Sequence, residues 1–187
     1  MAASASTGCL MQILVGNGGH ARSCRDVLAE QDLPLYFFSD LDDGHPLRVG
    51  SFADIPKFLE SNLHLAIGPS KARVNLANYL SELGAKWFSI ISPSSYLRSN
   101  CLGEGVFIGH KAYVGPGVRI GSLSIVNTGA IVEHDCVIEE GAFIGPGAVL
   151  CGAVTVGANA MIGAGAVVIP KMKIEPGTRI PAGATVR

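Results

Sequence analysis

The chain has 187 residues, with 14 basic and 15 acidic side chains, a formal net charge of −1 and 48% hydrophobic residues. This length allows one domain or two small ones, and hydrophobic content near half excludes an intrinsically disordered protein. The balanced charge predicts no binding to nucleic acid and no insertion into a membrane. The five cysteines include no C-x-x-C pair. This pattern favours reduced thiols in a cytoplasmic protein and indicates neither a disulfide framework nor a metal site.

The first half of the chain alternates apolar and helical patterns. Residues 1–10 are expected to form a disordered tail, and strands are predicted at 11–15, 35–38, 64–67 and 87–91. Helices are predicted at 21–31, 52–59 and 71–83. Strands that alternate with helices predict a small parallel sheet, here a Rossmann-like domain over residues 11–91. The turn-forming segment 92–95 marks its end.

A glycine-rich turn follows the first predicted strand. Gly16, Gly18 and Ala21 match the pattern G-x-G-x-x-G/A, and Asp40 follows the second strand. Glycine lets a ligand approach the backbone, a helix N-terminus favours phosphate, and the acid can bind a ribose hydroxyl or a base edge. The motif alone is equally compatible with a tight turn that binds nothing. An NAD site is disfavoured because the domain has no second half to hold the nicotinamide.

The second half has a period of six. From Leu102 to Val186, fifteen consecutive positions spaced by six are Leu, Ile or Val, and the fifth residue of each hexad is small except at Met172. This pattern predicts a parallel β-helix of four to five coils, in which residues 18 apart stack on one another. Residues 141–170 carry no charge, but their seven glycines and Pro146 exclude a transmembrane helix.

One hexad carries a group of titratable side chains. VEHDCV is the only hexad with three titratable side chains in succession, namely Glu133, His134 and Asp135. A histidine with a carboxylate partner is suited to general-base catalysis, provided that the pair lies at a corner of the helix. The alternative is a solvated corner histidine. His110 is a competing candidate four hexads earlier, whereas His45 and His64 have no acidic or motif context and are interpreted as surface or structural residues.

The whole pattern resembles the bacterial sugar acetyltransferases of the NeuD/PglD type. The matching segments are the glycine turn at 16–22, the segments at 38–41 and 66–69, and NTGAIVEHDCVI at 127–138. This family includes sialic-acid O-acetyltransferases and N-acetyltransferases of nucleotide-linked 4-amino sugars in cell-surface polysaccharide biosynthesis. The resemblance implies an α/β N-terminal Rossmann-like domain followed by a left-handed parallel β-helix of hexapeptide repeats over residues 92–187.

The resemblance also implies the roles of individual residues. His134 would be the catalytic base, and Asp135 the acid that raises its basicity. The implied contacts to the sugar nucleotide are Gly18, Gly19, His20, Asp40, Leu41 and Gly68. The implied contacts to acetyl-CoA, the cosubstrate, are Phe143, Gly152, Ala164 and Ala182. No metal is implied. Family members usually have His-Pro-Ser-Ala where this chain has Ser-Pro-Ser-Ser at 92–95.

The implied activity is transfer of acetyl to the amino group of a nucleotide-linked amino sugar by direct attack on the thioester. UDP is the expected nucleotide, with GDP, CMP or none left open. A homotrimer is expected, with active sites between subunits. Cys136 occupies an inward fifth position and is interpreted as a core residue rather than a nucleophile. The alternatives are a sugar O-acetyltransferase and a hexapeptide scaffold without catalytic activity.

Overall fold

The computed structural model describes residues 11–31, 36–40 and 45–187. The expected tail at 1–10, residue 35 of the second predicted strand and Leu41 lie outside these ranges. The described N-terminal elements are β1 (Gln12–Val15), α1 (Gly19–Ala29), β2 (Tyr36–Phe38), β3 (Arg48–Gly50), a 3₁₀ helix (Phe52–Phe58), β4 (Asn62–Leu65), α2 (Ser70–Glu82) and β5 (Lys86–Trp87). In this described part, no helix combines the length and the apolar character needed to span a membrane.

The N-terminal strands form one parallel sheet in the order β3-β2-β1-β4-β5. Its central strand β1 is apolar and buried, as the sequence predicts. Strand β3 was not predicted, because its three half-buried residues show no apolar alternation. The segment predicted as a helix at 52–59 is a 3₁₀ helix with Pro56 inside it, and proline lacks the N–H that an α-helical turn needs.

The rest of the chain is a parallel β-helix. Two-residue strands form three sheets, two of six strands and one of five, and these sheets are the three faces of the helix. The first face contains β6 (Ile90–Ile91), β9 (Phe107–Ile108), β12 (Ile125–Val126), β15 (Phe143–Ile144), β18 (Met161–Ile162) and β21 (Arg179–Ile180). The second contains β7 (Tyr96–Leu97), β10 (Tyr113–Val114), β13 (Ile131–Val132), β16 (Val149–Leu150), β19 (Val167–Val168) and β22 (Thr185–Val186). The third contains β8 (Cys101–Leu102), β11 (Arg119–Ile120), β14 (Val137–Ile138), β17 (Thr155–Val156) and β20 (Lys173–Ile174).

The hexad positions have the environments that the sequence predicts. The opening residues of the central hexads, from Ile108 to Val168, are almost wholly buried, and the small fifth residues pack beside them. The fourth residue of each hexad has a positive φ near 60°, which is the corner conformation expected for glycine or asparagine. Six corners carry a residue other than glycine in this position, namely Lys111, Leu123, Asp135, Ala153, Asn159 and Lys171.

The solenoid begins two strands earlier than the hexads indicate. Ile91 pairs with Ile108 and Leu97 with Val114, which makes this first coil 17 residues long, whereas Leu102 pairs with Ile120 at the usual spacing of 18. The missing residue breaks the period of six, so the sequence pattern did not reveal β6 and β7. The predicted 87–91 strand is therefore two strands, β5 in the sheet and β6 in the solenoid. The division into domains at residues 91 and 92 stays a prediction.

Three corners join the faces. The first corner lies between the first and second faces (109–112 and the segments stacked on it), the second between the second and third (115–118 and its stack), and the third between the third and first (121–124 and its stack). The N-terminal region covers the first face, where Phe107 and Ile125 are 1% exposed. The second corner, which carries His134, therefore lies on the opposite side of the solenoid from this region.

Arg73 joins the N-terminal region to the third corner. Its guanidinium is buried and donates to the carbonyls of Ile67 and Gly68 at 2.7 Å, of Leu123 at 2.8 Å and of Gly141 at 2.9 Å. Burial lowers the pKa of Arg73 to about 10, so the side chain stays protonated at neutral pH. One cation thus holds both the loop after β4 and the solenoid backbone.

We expect Arg73→Met to lower the free energy of unfolding by about 2–4 kcal/mol, because it leaves buried carbonyls without a donor. Urea unfolding measures this change. The matched control is Arg119→Met on the exposed side of the third face, where we expect a change within about 0.5 kcal/mol. Equal effects of the two substitutions would contradict the role given to Arg73.

Candidate active site

His134 and Asp135 form a hydrogen-bonded pair at the second corner. Asp135 has a φ of 60°, and this left-handed conformation turns its carboxylate back toward the preceding imidazole. Nδ1 of His134 donates to Oδ2 of Asp135 at 2.8 Å. Because a carboxylate only accepts, the proton lies on Nδ1 and Nε2 keeps its lone pair. The side chains are 59% and 68% exposed in the single chain, so the lone pair is accessible.

Glycine makes room for the imidazole one coil below. A Cβ on Gly152 would lie 2.5 Å from Nε2 and 2.6 Å from Cε1 of His134. Only a residue without a side chain therefore allows this ring position. The structure thus brings together three residues that the sequence assigned to catalysis or cosubstrate binding: His134, Asp135 and Gly152.

His110, the competing histidine, has both ring nitrogens engaged. Nε2 donates to Oδ2 of Asp26 on α1 at 3.0 Å, and Nδ1 accepts from the Ser92 hydroxyl at 2.8 Å. Glu30 lies 3.5 Å from Nδ1. A histidine in this position holds α1 against the first corner and has no free lone pair with which to act as a base.

Cys136 lies in the solenoid core, as the sequence predicts. It is 0% exposed, its thiol donates to the carbonyl of Cys151 at 3.2 Å, and burial raises its pKa. A buried neutral thiol is a poor nucleophile.

The glycine turn has one structural glycine and an open surface beside it. Gly16 has a φ of 124°, and a Cβ there would lie 2.9 Å from the carbonyl oxygen of Ala66. At Gly18, Gly19 and Gly68, a Cβ would have nothing within 4 Å. These three glycines lie beyond the carboxyl ends of β1 and β4, the edge where parallel sheets bind ligands. Packing within the described chain does not require glycine at these three positions, and the space beside them is open to a ligand.

We expect Gly18→Ala and Gly68→Ala to keep the stability of the protein and to raise the KM for the acceptor, because the new methyl group occupies ligand space. Gly16→Ala is the contrast, and it should destabilise the fold by about 1–2 kcal/mol through its strained φ and the contact with Ala66. Steady-state kinetics and thermal unfolding separate the two effects. An unchanged KM in both open-space variants would remove the turn from the acceptor site.

The other predicted acceptor residues have structural partners as well. Oδ1 of Asp40 accepts from the Phe52 N–H at 3.0 Å, where the 3₁₀ helix begins, so one carboxylate oxygen has a structural bond. The His20 ring contacts Phe107 edge-on, with 4.8 Å between centroids, and its Nε2 lies 3.6 Å from Sγ of Cys24. The position of Leu41 lies outside the described residues.

Burial keeps two histidines of this region neutral. Desolvation lowers the pKa of His20 to about 3 and that of His64 to about 4, from 6.5. Below pH 6.5 the unfolded chain therefore binds protons that the folded chain does not. We expect the free energy of unfolding to decrease as the pH is lowered from 6.5 to about 4. Each of the two histidines contributes a decrease of up to about 1.4 kcal/mol for every pH unit. Urea titrations at pH 7, 6 and 5 measure the slope, and His64→Asn should reduce it.

The predicted acetyl-CoA residues lie in three places. Gly152 lies beside His134 on the second corner, whereas Ala164 and Ala182 stack on the first corner, where the Gly183 N–H donates to the Ala164 carbonyl. Phe143 lies on the first face, next to Gly68. The second face separates the two corners, so one chain does not bring all four residues together.

A cavity of about 530 Å³ lies between the start of α2 and the lower first face. It is lined by Gly68, Pro69, Ser70, Lys71, Phe143, Asn159, Met161, Gly177 and Arg179. Lys71, Asn159 and Arg179 were not predicted as site residues from the sequence. Arg179 is an outward hexad residue like others, and only the fold places it in the lining of the same cavity as Lys71. The two cations make the cavity suitable for an anionic ligand.

Comparisons with known proteins agree with this architecture. The family model described as the bacterial transferase hexapeptide (six repeats) matches residues 135–170, and that of the hexapeptide repeat of succinyl-transferase matches residues 100–134. Together they cover the coils that carry His134 and Gly152.

Solved structures match nearly the whole chain. The perosamine N-acetyltransferase from Caulobacter crescentus, in complex with CoA and GDP-perosamine, is 32% identical with a TM-score of 0.88, and the match covers 98% of this chain and 91% of that one. The acetyltransferase domain of PglB from Neisseria gonorrhoeae is 26% identical with a TM-score of 0.87, covering 95% and 91%. In complex with acetyl coenzyme A, that domain matches with a TM-score of 0.83, covering 96% of both chains. With its N-terminal α/β region and hexapeptide solenoid, this chain belongs to the sugar acetyltransferases of the left-handed β-helix family.

Proposed function

We propose that this protein transfers the acetyl group of acetyl-CoA to the amino group of a nucleotide-linked amino sugar. The observation that carries the proposal is the His134–Asp135 pair, whose accessible Nε2 lone pair lies beside Gly152. Two similar structures support the choice of substrates, since one was solved with CoA and GDP-perosamine and another with acetyl coenzyme A.

The chemistry is direct transfer with His134 as the general base. Nε2 removes a proton from the sugar amine as its nitrogen attacks the thioester carbon, which forms a tetrahedral oxyanion. The Gly152 N–H makes no hydrogen bond within the described part of the chain and can donate to that oxyanion. The C–S bond then breaks, and the imidazolium returns the proton to the CoA thiolate. Asp135 orients the ring and stabilises its charged form.

The second face supports assembly of several subunits. Its outward residues form a mostly apolar column of Tyr96, Tyr113, Ile131, Val149, Val167 and Thr185. Tyr96 is 57% exposed, and Ile131 is 37% exposed. Exposed apolar columns of this kind mark protein interfaces. In a homotrimer packed through this face, the second corner of one subunit approaches the first corner of the next. Gly152 then faces Ala164 and Ala182 across a cleft for acetyl-CoA.

The acceptor would come from a neighbouring subunit. The N-terminal region covers the first face and contacts the first and third corners of its own solenoid through His110 and Arg73. His134 lies on the remaining corner. A sugar nucleotide held at the glycine turn is therefore better placed for the His134 of an adjacent subunit than for that of its own.

The cationic cavity supports a phosphorylated ligand. Lys71 and Arg179 can neutralise a diphosphate or the phosphates of CoA, and both substrates of the proposed reaction carry such groups. UDP and GDP are the nucleotides to be compared, because UDP is expected from the sequence and GDP is bound by a similar protein.

The decisive assay incubates the protein with acetyl-CoA and a panel of UDP- and GDP-linked 4-amino sugars. We expect free CoA to appear together with an N-acetylated sugar for at least one member. The same nucleotide sugars with a hydroxyl in place of the amine are the matched controls, and faster turnover of these would instead assign O-acetylation. Absence of turnover with the whole panel, together with no thermal shift by acetyl-CoA, would favour a scaffold without catalysis.

Mixed oligomers test the shared site. We would coexpress His134→Ala chains with Gly18→Val chains, each inactive alone, under two affinity tags. If one subunit supplies the base and the next the glycine turn, about one third of the sites in mixed trimers contain both intact parts, because each such trimer has one correctly paired site among its three. Activity recovered in doubly tagged material supports this arrangement, and mixed trimers without activity contradict it. Light scattering of the wild type checks that the particle is a trimer.

A further inference from the structure

Three side chains that take no part in the proposed proton and acetyl transfer meet under the glycine turn. His20 and Cys24 lie one turn apart on α1, and His64 lies on the adjacent strand β4. One ring nitrogen from each histidine and the Cys24 sulfur all lie within 4.8 Å of one another. Cys24 is 0% and His64 is 1% exposed. Two imidazoles and a thiol together offer the nitrogen and sulfur donors that bind zinc in proteins.

The distances suit a tetrahedral ion. Sγ of Cys24 lies 3.6 Å from Nε2 of His20. Zinc bonds of about 2.3 Å to sulfur and about 2.0–2.1 Å to nitrogen place such ligands about 3.5 Å apart. The remaining separations, up to 4.8 Å, need a closure of about 1 Å, which side-chain rotation can supply.

His64 already has the tautomer that a metal ligand needs. Its Nδ1 lies 3.0 Å from the carbonyl oxygen of Phe88. A carbonyl only accepts, so Nδ1 carries the proton and Nε2 has the lone pair. Ligating histidines typically have this second hydrogen bond, which fixes the ring orientation.

Charge decides which ion fits and which ligand is essential. Burial raises the pKa of the Cys24 thiol, and the positive charge of Arg73 acts on all three side chains. A divalent ion is therefore held only if the metal itself displaces the thiol proton and Cys24 binds as the thiolate. The thiol proton then goes to solvent as the sulfur–metal bond forms. A donor set of nitrogen and sulfur without carboxylates favours zinc over magnesium or calcium.

We propose that His20, Cys24 and His64 bind one Zn²⁺ ion per chain, with the fourth position left to water. The ion would fasten the first turn of α1 to β4 and so rigidify the glycine turn next to His20. Its role is structural, and the acetyl transfer described above does not use it. The competing arrangement is a hydrogen bond between the Cys24 thiol and an imidazole, without metal.

The test uses the intact protein after treatment with a chelator, without substrates. Zinc at about a hundredfold excess over its Kd should raise the Tm by about 5–10 °C, and Mg²⁺ should not. Co²⁺ should give a thiolate-to-metal charge-transfer band with a stoichiometry of one per chain. The band should disappear in Cys24→Ser and persist in Cys101→Ser, the matched control on the exposed third face.

Because Cys24→Ser places a hydroxyl in the core, Cys24→Ala is a second variant, and circular dichroism checks that both fold. The wild-type cobalt spectrum decides the question without any variant. A spectrum without the band, or a band that Cys101→Ser removes, would overturn the zinc site and leave the metal-free hydrogen bond. Neither outcome bears on the acetyltransferase assay, which needs no added metal.

Discussion

Replacing His134 by alanine should lower kcat by roughly 10²–10⁴-fold, the usual contribution of a general base. The affinities for both substrates should persist, because the imidazole acts mainly in the transition state. Nε2 is accessible in this structure and its ring packs against glycine, so the variant should fold normally. Steady-state kinetics with thiol detection measures the change. The rate should also fall on acidification, since a protonated imidazole has no lone pair to accept a proton.

Two further variants serve as comparisons for His134→Ala. Asp135→Asn should lose less than His134→Ala, and it should not disturb the corner, because Asn159 adopts the same left-handed conformation in this solenoid. His110→Ala should leave kcat nearly unchanged and lower the Tm, since it removes the bonds to Asp26 and Ser92. If instead His110→Ala abolished turnover and His134→Ala retained it, the base would have been assigned to the wrong corner.

Gly152→Ala should reduce kcat by about 10²-fold, although the substitution adds only one methyl group. Its Cβ would lie 2.5 Å from Nε2 of His134, so the ring must turn away and lose its bond to Asp135. A displacement of about 1 Å in a catalytic group commonly has an effect of this size. The imidazole is exposed and can move, so the Tm should change little.

A double-mutant cycle separates this mechanism from a general distortion of the coil. In a His134→Ala background, Gly152→Ala should have almost no further effect on turnover, because the group that it displaces is already absent. Multiplication of the two losses would show that Gly152 acts through the backbone or the acetyl-CoA contact instead. Thermal unfolding of the four proteins checks that the comparison is made among folded chains.

The sequence determined the solenoid and the residues of the candidate base and its carboxylate partner. A period of six is a local property, since each coil buries its own Leu, Ile or Val. It can therefore be recognised in the sequence before any contact between distant residues is known. His134 and Asp135 are neighbours in the chain, so their pairing needed only a corner, which the hexad position supplied. The resemblance to hexapeptide sugar acetyltransferases rested on these segments together with the glycine turn at 16–22 and the segments at 38–41 and 66–69, and the comparisons confirm it.

The tertiary structure alone decided the contacts between segments far apart in the sequence. The engagement of His110 depends on Asp26, 84 residues away, and that of Arg73 on a solenoid corner 50 and 68 residues away. The first coil escaped the sequence pattern because one missing residue shifts its phase. Likewise, no spacing predicted the meeting of His64 with Cys24, since it depends on how α1 packs on the sheet. The periodicity of the sequence indicates which side of the chain is buried. Which buried side chains contact one another depends on how the helices, the sheet and the solenoid pack together.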